Sequence, residues 1–139
     1  MFRILAIDHI VLRVKDLVRM EAFYCDVLGC TIERERADLG LTQLRAGSSL
    51  IDLVPVKGQL GRRGGAAPSL EGRNLDHLCL RIDPFEPEAL LAHLARFGVD
   101  AGEVKSRFGA DGEGPSVYVS DPEGNTVELK GPPSTPKKA

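Results

Sequence analysis

One eight-residue pattern occurs twice in this chain, and it constrains the fold more than any other feature. Residues 7–14 read IDHIVLRV and residues 75–82 read LDHLCLRI, so Asp, His, Leu and Arg recur at the same places. Self-similarity of this kind indicates that one structural unit is used more than once. The alternating apolar residues of both copies are typical of β-strands. The sequence therefore predicts two related modules, each of which begins with a strand.

A helix and three short strands follow each copy of the pattern. The helical segments, 16–29 and 85–98, carry apolar residues at helical spacing and end in Gly, a common helix stop. Turn sequences, Gly-Ser and Asp-Pro-Glu-Gly-Asn, separate the last two strands of each half. Each half is thus predicted to be a β-α-β-β-β module in an α+β fold. The predicted strands after the helices are 31–36, 41–46, 49–55, 100–104, 115–120 and 125–130.

The length of 139 residues is usual for one domain, predicted here as 1–139. Within it, module one is expected at 5–56 and module two at 73–131. The intervening segment 57–72 is rich in Gly, Ser and Pro and has no apolar period, which predicts a linker. Its glycines lack the spacing of a nucleotide-binding loop. The Pro- and Lys-rich tail, 132–139, is expected to be disordered.

Composition excludes several classes of partner. The formal net charge is -2, without the clustered basic excess of a nucleic-acid-binding protein. No apolar run reaches the ~18 residues of a membrane span, and the N-terminus does not have the pattern of a signal peptide. We therefore expect a cytoplasmic protein. The three cysteines have no Cys-x-x-Cys spacing, which favours free thiols over disulfides or a cysteine zinc site.

Strand alternation decides which way the two histidines point. Successive side chains of a strand lie on opposite faces of its sheet, so Ile10 lies on one face and His9 on the other. The apolar face must pack under the helix, and His9 therefore faces away from it. In the second copy, Leu78 lies on the helix side and His77 on the opposite face.

Two acids occupy matching positions in the last strand of each half. By the same alternation, Asp52 and Glu128 lie on the faces that hold His9 and His77. These faces also carry apolar residues, so we expect them to line a cleft. A lone histidine on a strand is usually a hydrogen-bonded structural residue. Two at the same repeat position, each with a matching acid, instead favour an N2O2 site for a divalent ion.

Four segments resemble the vicinal oxygen chelate superfamily, which includes glyoxalase I, bleomycin resistance proteins and extradiol dioxygenases. They are IDHIVLRVKDL, the helix with AFYCDVLG, LDHLCLRI and SVYVSDPEGNTVELK, and the resemblance covers about residues 5–131. The stretch RFGADGEGPSVYVSDPEG most resembles the small glyoxalase-domain-containing proteins of this group. The resemblance implies two modules whose sheets curl into a cup around one metal ion, which is nickel, zinc, manganese or iron, and it implies a homodimer.

The resemblance also implies roles for individual residues. It assigns His9, His77 and Glu128 as metal ligands, and it places Asp52 where glyoxalase I-like members carry Glu. A metal with open positions would bind neighbouring oxygens of a small molecule and stabilise the enolate or alkoxide that forms when a proton leaves. Glu128 or Asp52 is the candidate base.

Five further residues are candidates for contact with the substrate. Arginines on the strands would neutralise a carboxylate or phosphate, and a hydroxyl would donate a hydrogen bond. For two of the arginines, Arg13 and Arg81, pairing with neighbouring acids is the alternative. The full set is Arg13, Arg81, Arg107, Ser116 and Tyr118.

The predicted function is that of a metal-dependent lyase or isomerase of the glyoxalase type. One alternative is an iron-dependent ring-cleaving dioxygenase, which suits two histidines and one carboxylate. Such dioxygenases usually carry a further acid–base histidine, and His93, in a predicted helix, is badly placed for it. The other alternative is a non-catalytic protein that binds an antibiotic or another small molecule. The intact set of His9, His77 and Glu128 argues against it.

Overall fold

The computed structural model describes residues 1–136 and divides the chain into two compact units. They are Met1–Arg73 and Asn74–Ala139, so each unit holds one copy of the repeated pattern. The division falls immediately after the predicted linker, 57–72. That linker contains a 3₁₀ helix, Gly61–Gly64.

The first unit is a four-stranded sheet with one helical segment. Its strands lie in the order β1-β4-β3-β2, with β1 parallel to β4 and the other pairs antiparallel. Asp16 lies at the N-cap of the helix, where its side chain accepts a hydrogen bond from the backbone N–H of Arg19. Asp is one of the preferred residues at this position. The elements are β1 (His9–Val14), α1 (Leu17–Ala22), a π-helical turn (Phe23–Val27), β2 (Thr31–Arg36), β3 (Leu41–Ala46) and β4 (Ser49–Pro55).

The second unit repeats this arrangement. Its main strands lie in the order β5-β8-β7-β6, again with one parallel pair, β5 and β8. The predicted α+β class and the β-α-β-β-β order are therefore confirmed in both units. The elements are β5 (Leu78–Arg81), α2 (Pro87–Arg96), β6 (Lys105–Gly109), β7 (Gly112–Ser120), β8 (Thr126–Lys130) and β9 (Thr135–Pro136).

The predicted strand at 100–104 is wrong. Of its residues, Ala101 makes only an isolated bridge to Val119, and the strand itself is β6. Gly109 pairs with Gly112 around a two-residue turn, so β6 and β7 form a tight hairpin. The geometry of this hairpin sets the register and moves the strand toward the turn.

Part of the tail is also ordered, against expectation. Thr135 and Pro136 pair with Glu113 and Gly112 at the start of β7. That part of β7 lies beyond the reach of β8, whose pairing begins at Ser116. The tail thus covers an otherwise open strand edge. Residues 137–139 lie outside the described part of the chain.

The apolar core of each unit lies on the helix side of its sheet, as the alternation predicts. In the first unit it includes Val14, Met20, Leu44, Ile51 and Leu53, all of which are buried. In the second it includes Leu94, Val117, Val119, Val127 and Leu129. Among residues 1–136, no helix has the length and apolar character needed to cross a membrane.

Candidate functional site

The imidazole of His77 lies between two carboxylates. Its Nδ1 is 2.7 Å from Oδ2 of Asp76, and its Nε2 is 3.3 Å from Oε1 of Glu128. A carboxylate on Nδ1 favours the tautomer that carries its proton there, which leaves the lone pair of Nε2 directed at Glu128. The Nε2 lone pair and the Glu128 oxygen, 3.3 Å apart, repel each other unless a cation lies between them. That cation is either a proton or a metal ion.

Glu128 is positioned by three strands. It lies in β8, opposite Cys79 of β5 and Tyr118 of β7, and its residue is only 5% exposed. Burial, followed by the charge of Glu128, raises the pKa of Tyr118. Burial, again followed by Glu128, raises the pKa of the Cys79 thiol to about 11. At neutral pH both neighbours therefore keep their protons and can donate hydrogen bonds.

Tyr118 connects His77 to two other predicted site residues. The rings of Tyr118 and His77 meet edge to face, with centroids 5.4 Å apart. The guanidinium carbon of Arg107 lies 4.4 Å from the centroid of the Tyr118 ring, within cation–π distance. Arg107 also donates to the carbonyl oxygen and Oγ of Ser116, at 2.9 and 2.8 Å. Ser116 is buried, so it orients Arg107 rather than presenting a hydroxyl to solvent.

The face of the second sheet that carries Glu128 lines a pocket of about 260 Å³. Glu128 and Lys130 of β8 and Cys79 and Arg81 of the neighbouring strand β5 line it, together with His77. The turn between β6 and β7 forms another wall. The predicted cleft-lining face of this unit is therefore concave.

The first unit repeats the histidine arrangement. The Nδ1 atom of His9 lies 2.6 Å from Oδ1 of Asp8, as His77 does with its preceding aspartate. The hydrogen bond to Asp8, together with the charge of Asp52, raises the pKa of His9. His9 pairs with Leu50 in β4, so Asp52 follows two residues further along the same strand.

Asp52 contains an unpartnered buried oxygen. The residue is 3% exposed, and its Oδ2 accepts a hydrogen bond from Nε2 of Gln43 at 3.1 Å. Within the described residues, its Oδ1 is buried and has no hydrogen-bond partner. Buried polar atoms are nearly always satisfied, and exceptions indicate an absent water, ion or ligand. A cation on Oδ1 would satisfy it.

The two remaining predicted substrate contacts are engaged locally. Arg13 donates to the carbonyl oxygens of Gly61 and Ala66 at 2.8 and 3.0 Å, and also to that of Gly65. It thereby fixes the linker to β1. Arg81 pairs with Asp111 in the turn between β6 and β7, which is the alternative expected for it.

Sequence reasoning missed several residues of these clusters. Asp8 and Asp76 each precede the histidine in their copy of the repeat, and this shared position could have indicated them. Gln43 faces Asp52 across β3 and β4, as Tyr118 faces the acid of the second unit. The weak alternation of LTQLRA concealed its direction. Nothing in the sequence indicated that Lys130 is buried.

Each unit provides one histidine and one acid. Across residues 1–136, no three or more His, Cys, Asp or Glu side chains gather closely enough to hold a metal ion. A set of four ligands, His9, Asp52, His77 and Glu128, therefore stays a prediction. The donor chemistry fits a divalent ion, because imidazole nitrogens, the buried Glu128 carboxylate and the unsatisfied oxygen of Asp52 are the ligand types that such ions take.

Comparison with known proteins gives one family over most of the chain. The family model described as Glyoxalase/Bleomycin resistance protein/Dioxygenase superfamily matches residues 6–129. An integron cassette protein from the mobile metagenome of V. cholerae is 27% identical, with a TM-score of 0.75 over 94% of this chain and 98% of that chain.

Two further solved structures share the fold at lower identity. Lactoylglutathione lyase from Agrobacterium tumefaciens is 22% identical, with a TM-score of 0.64 over 91% of this chain and 92% of that chain. An antibiotic-binding protein from Streptomyces is 21% identical, with a TM-score of 0.70 over 95% and 99%. The fold is thus shared by an enzyme and a binding protein, so function must be argued from the site.

Proposed function

The chain belongs to the glyoxalase/bleomycin resistance protein/dioxygenase superfamily, and from that premise we propose that it is a metal-dependent lyase or isomerase of the glyoxalase type. The membership confirms the resemblance found in the sequence. The single observation that carries the proposal is the buried Glu128 carboxylate, 3.3 Å from a histidine nitrogen whose partner nitrogen is held by Asp76. Histidines that bind a metal usually have their other ring nitrogen held in this way.

The proposed ligands are His77 and Glu128 of the second unit and His9 and Asp52 of the first. In each unit an aspartate lies within hydrogen-bond distance of the Nδ1 atom of the histidine, which orients the ring and leaves Nε2 as the nitrogen that would bind metal. The unsatisfied Oδ1 of Asp52 supports the same assignment for the first unit. The ion is proposed to be nickel, zinc, manganese or iron.

When bound, a divalent ion supplies a Lewis acid that lowers the energy of an enolate or alkoxide. Glu128 is the proposed base, which takes a proton from a substrate carbon in the pocket. Tyr118 stays protonated because its pKa is raised, so its hydroxyl can donate a hydrogen bond to a substrate oxygen. Arg107, held by Ser116, adds positive charge beside the Tyr118 ring.

Metal content by mass spectrometry tests the proposal. The untagged protein is compared with His77→Ala and Glu128→Ala, and with His93→Ala, which changes the histidine of α2, as the control. We expect near-stoichiometric metal in the parent and the control, and loss in the two site variants. One ion per chain that is lost in both variants would indicate one site that includes His77 and Glu128. Two would indicate separate sites.

The same samples discriminate the two other candidate functions. Iron as the bound metal, with oxygen consumption on catechol-like substrates, would replace the proposal with ring-cleaving chemistry. Absence of metal after reconstitution with each of the four ions would overturn the enzyme and leave a small-molecule-binding protein. Light scattering tests the homodimer that the family resemblance implies.

A further inference from the structure

Lys130 is a buried cation without a carboxylate partner among the described residues. It ends β8, two residues after Glu128 and on the same face of the sheet, and only 6% of it is exposed. Within residues 1–136, none of the ion pairs involves its ammonium group. Lysine is rarely buried unless it is paired, because removing an ammonium group from water is costly.

The neighbouring strands leave space for this lysine. A Cβ atom on Gly109 of β6 would lie 2.6 Å from Cε of Lys130. A Cβ atom on Gly114 of β7 would lie 3.2 Å from its Nζ. The absence of side chains at these two positions thus leaves room for the lysine, and Lys130 lines the pocket that also contains Glu128. The cation is held in place by the shape of the sheet.

The arginine of the pocket is already paired. Arg81 is engaged by Asp111, and Glu128 lies beside the imidazole of His77. Of the lysine and arginine side chains among the described residues that line the pocket, Lys130 is therefore the one without a carboxylate partner. The volume of about 260 Å³ would hold roughly nine waters at ~30 Å³ each, which is enough for a small organic acid.

We propose that the ammonium group of Lys130 binds an anionic group of the substrate, which makes the substrate class a small carboxylate- or phosphate-bearing molecule. This inference rests on the proposed function, since it places the anion beside the proposed base. Residues two apart on one face of a strand are separated by about 6.7 Å. The anionic group would thus lie a few bonds from the carbon that loses its proton to Glu128.

Anion binding to the full-length protein tests the inference. Inorganic phosphate and succinate are titrated separately at fixed ionic strength, and backbone amide shifts are followed by NMR. We expect Lys130→Gln to weaken binding about tenfold or more, since a charge-assisted hydrogen bond is lost. Lys105→Gln, at an exposed lysine of β6, should bind as the parent does. Binding of phosphate alone, succinate alone or both identifies the anionic group.

Two additional variants separate this inference from the metal proposal. Gly109→Ala should also weaken binding, because its Cβ displaces the stem of Lys130 while the charge is retained. His77→Ala should keep binding of both anions even where metal is lost. Equal binding by Lys130→Gln and the parent would overturn the inference. So would binding that disappears only in His77→Ala, which would assign the anion to the metal, or no binding of either anion by the parent.

Discussion

Asp52→Asn is the substitution that separates a metal ligand from a structural carboxylate. Asn has nearly the same shape, and its carbonyl oxygen can still accept the hydrogen bond that Gln43 donates at 3.1 Å. What changes is the group at the position of Oδ1, which is buried and has no partner among the described residues: a neutral amide NH2 replaces a carboxylate oxygen. If that oxygen holds a cation, the loss of charge removes the binding. If it does not, the substitution only replaces an unpaired carboxylate oxygen by an unpaired neutral amide.

The expected effects have opposite signs with and without metal. An unpaired charge costs more to bury than an unpaired amide, so metal-free Asp52→Asn should unfold with a free energy about 1–2 kcal/mol higher than the parent. Metal at a hundred times its Kd should stabilise the parent by about 2.7 kcal/mol. At roughly 4 °C per kcal/mol for a chain of this size, that is a rise in Tm of about 11 °C. The variant should lose most of this rise.

Thermal unfolding after chelation, and again with each candidate ion in excess, measures both effects. Asp38→Asn serves as the matched control, because Asp38 is exposed and pairs with Arg36. It should show the full metal-dependent rise. A less stable metal-free Asp52→Asn protein that still shows the full rise would refute the reasoning. Asp52 would then stabilise the fold rather than bind metal.

Three further predictions concern single residues. Asp76→Asn should weaken metal affinity about 10–100-fold in competition with a chelator, and unchanged affinity would mean that Asp76 does not orient its histidine. Arg13→Ala removes hydrogen bonds to three linker carbonyls. It should therefore lower the free energy of unfolding in urea by about 2–4 kcal/mol and allow proteolysis at 61–66. A linker that is not cleaved would contradict this role of Arg13. Burial raises the pKa of Cys30 to about 11, so its thiol should resist alkylation at pH 8. The raised pKa stabilises the fold below pH 9, and this contribution should disappear as the pH rises from 9 through 11. A free energy of unfolding that does not change with pH in that window would argue against burial of the thiol.

Most of the fold could be predicted because the chain carries its pattern twice. Alternation along the strands predicted which side chains face the helix. Val127 and Leu129 of the last strand, which alternate with Glu128, are buried on that side. The predicted strands 31–36, 41–46 and 49–55 coincide with β2, β3 and β4. Periodicity and turn sequences agree in these segments, which is where prediction from sequence is strongest.

Features set by contacts between distant segments could not be predicted. The segment that forms β6, KSRFG, has weak alternation, and its pairing depends on the tight turn after Gly109. Burial of Lys130 depends on two glycines in other strands, Gly109 and Gly114, which no local pattern of β8 reveals. The repeat predicted matching histidines and acids. It did not predict what stands opposite those acids.

The difference between the two units lies opposite each acid. In the first, Gln43 occupies one oxygen of Asp52 with an amide, which restrains a side chain that is one methylene shorter than Glu. In the second, Glu128 faces Tyr118, whose hydroxyl keeps its proton, and it lines the pocket. A metal ligand benefits from such restraint, because coordination needs fixed geometry. A base must instead reach a proton on the substrate. We therefore propose that Asp52 stays on the ion, whereas Glu128, also a proposed ligand, would detach and transfer the proton.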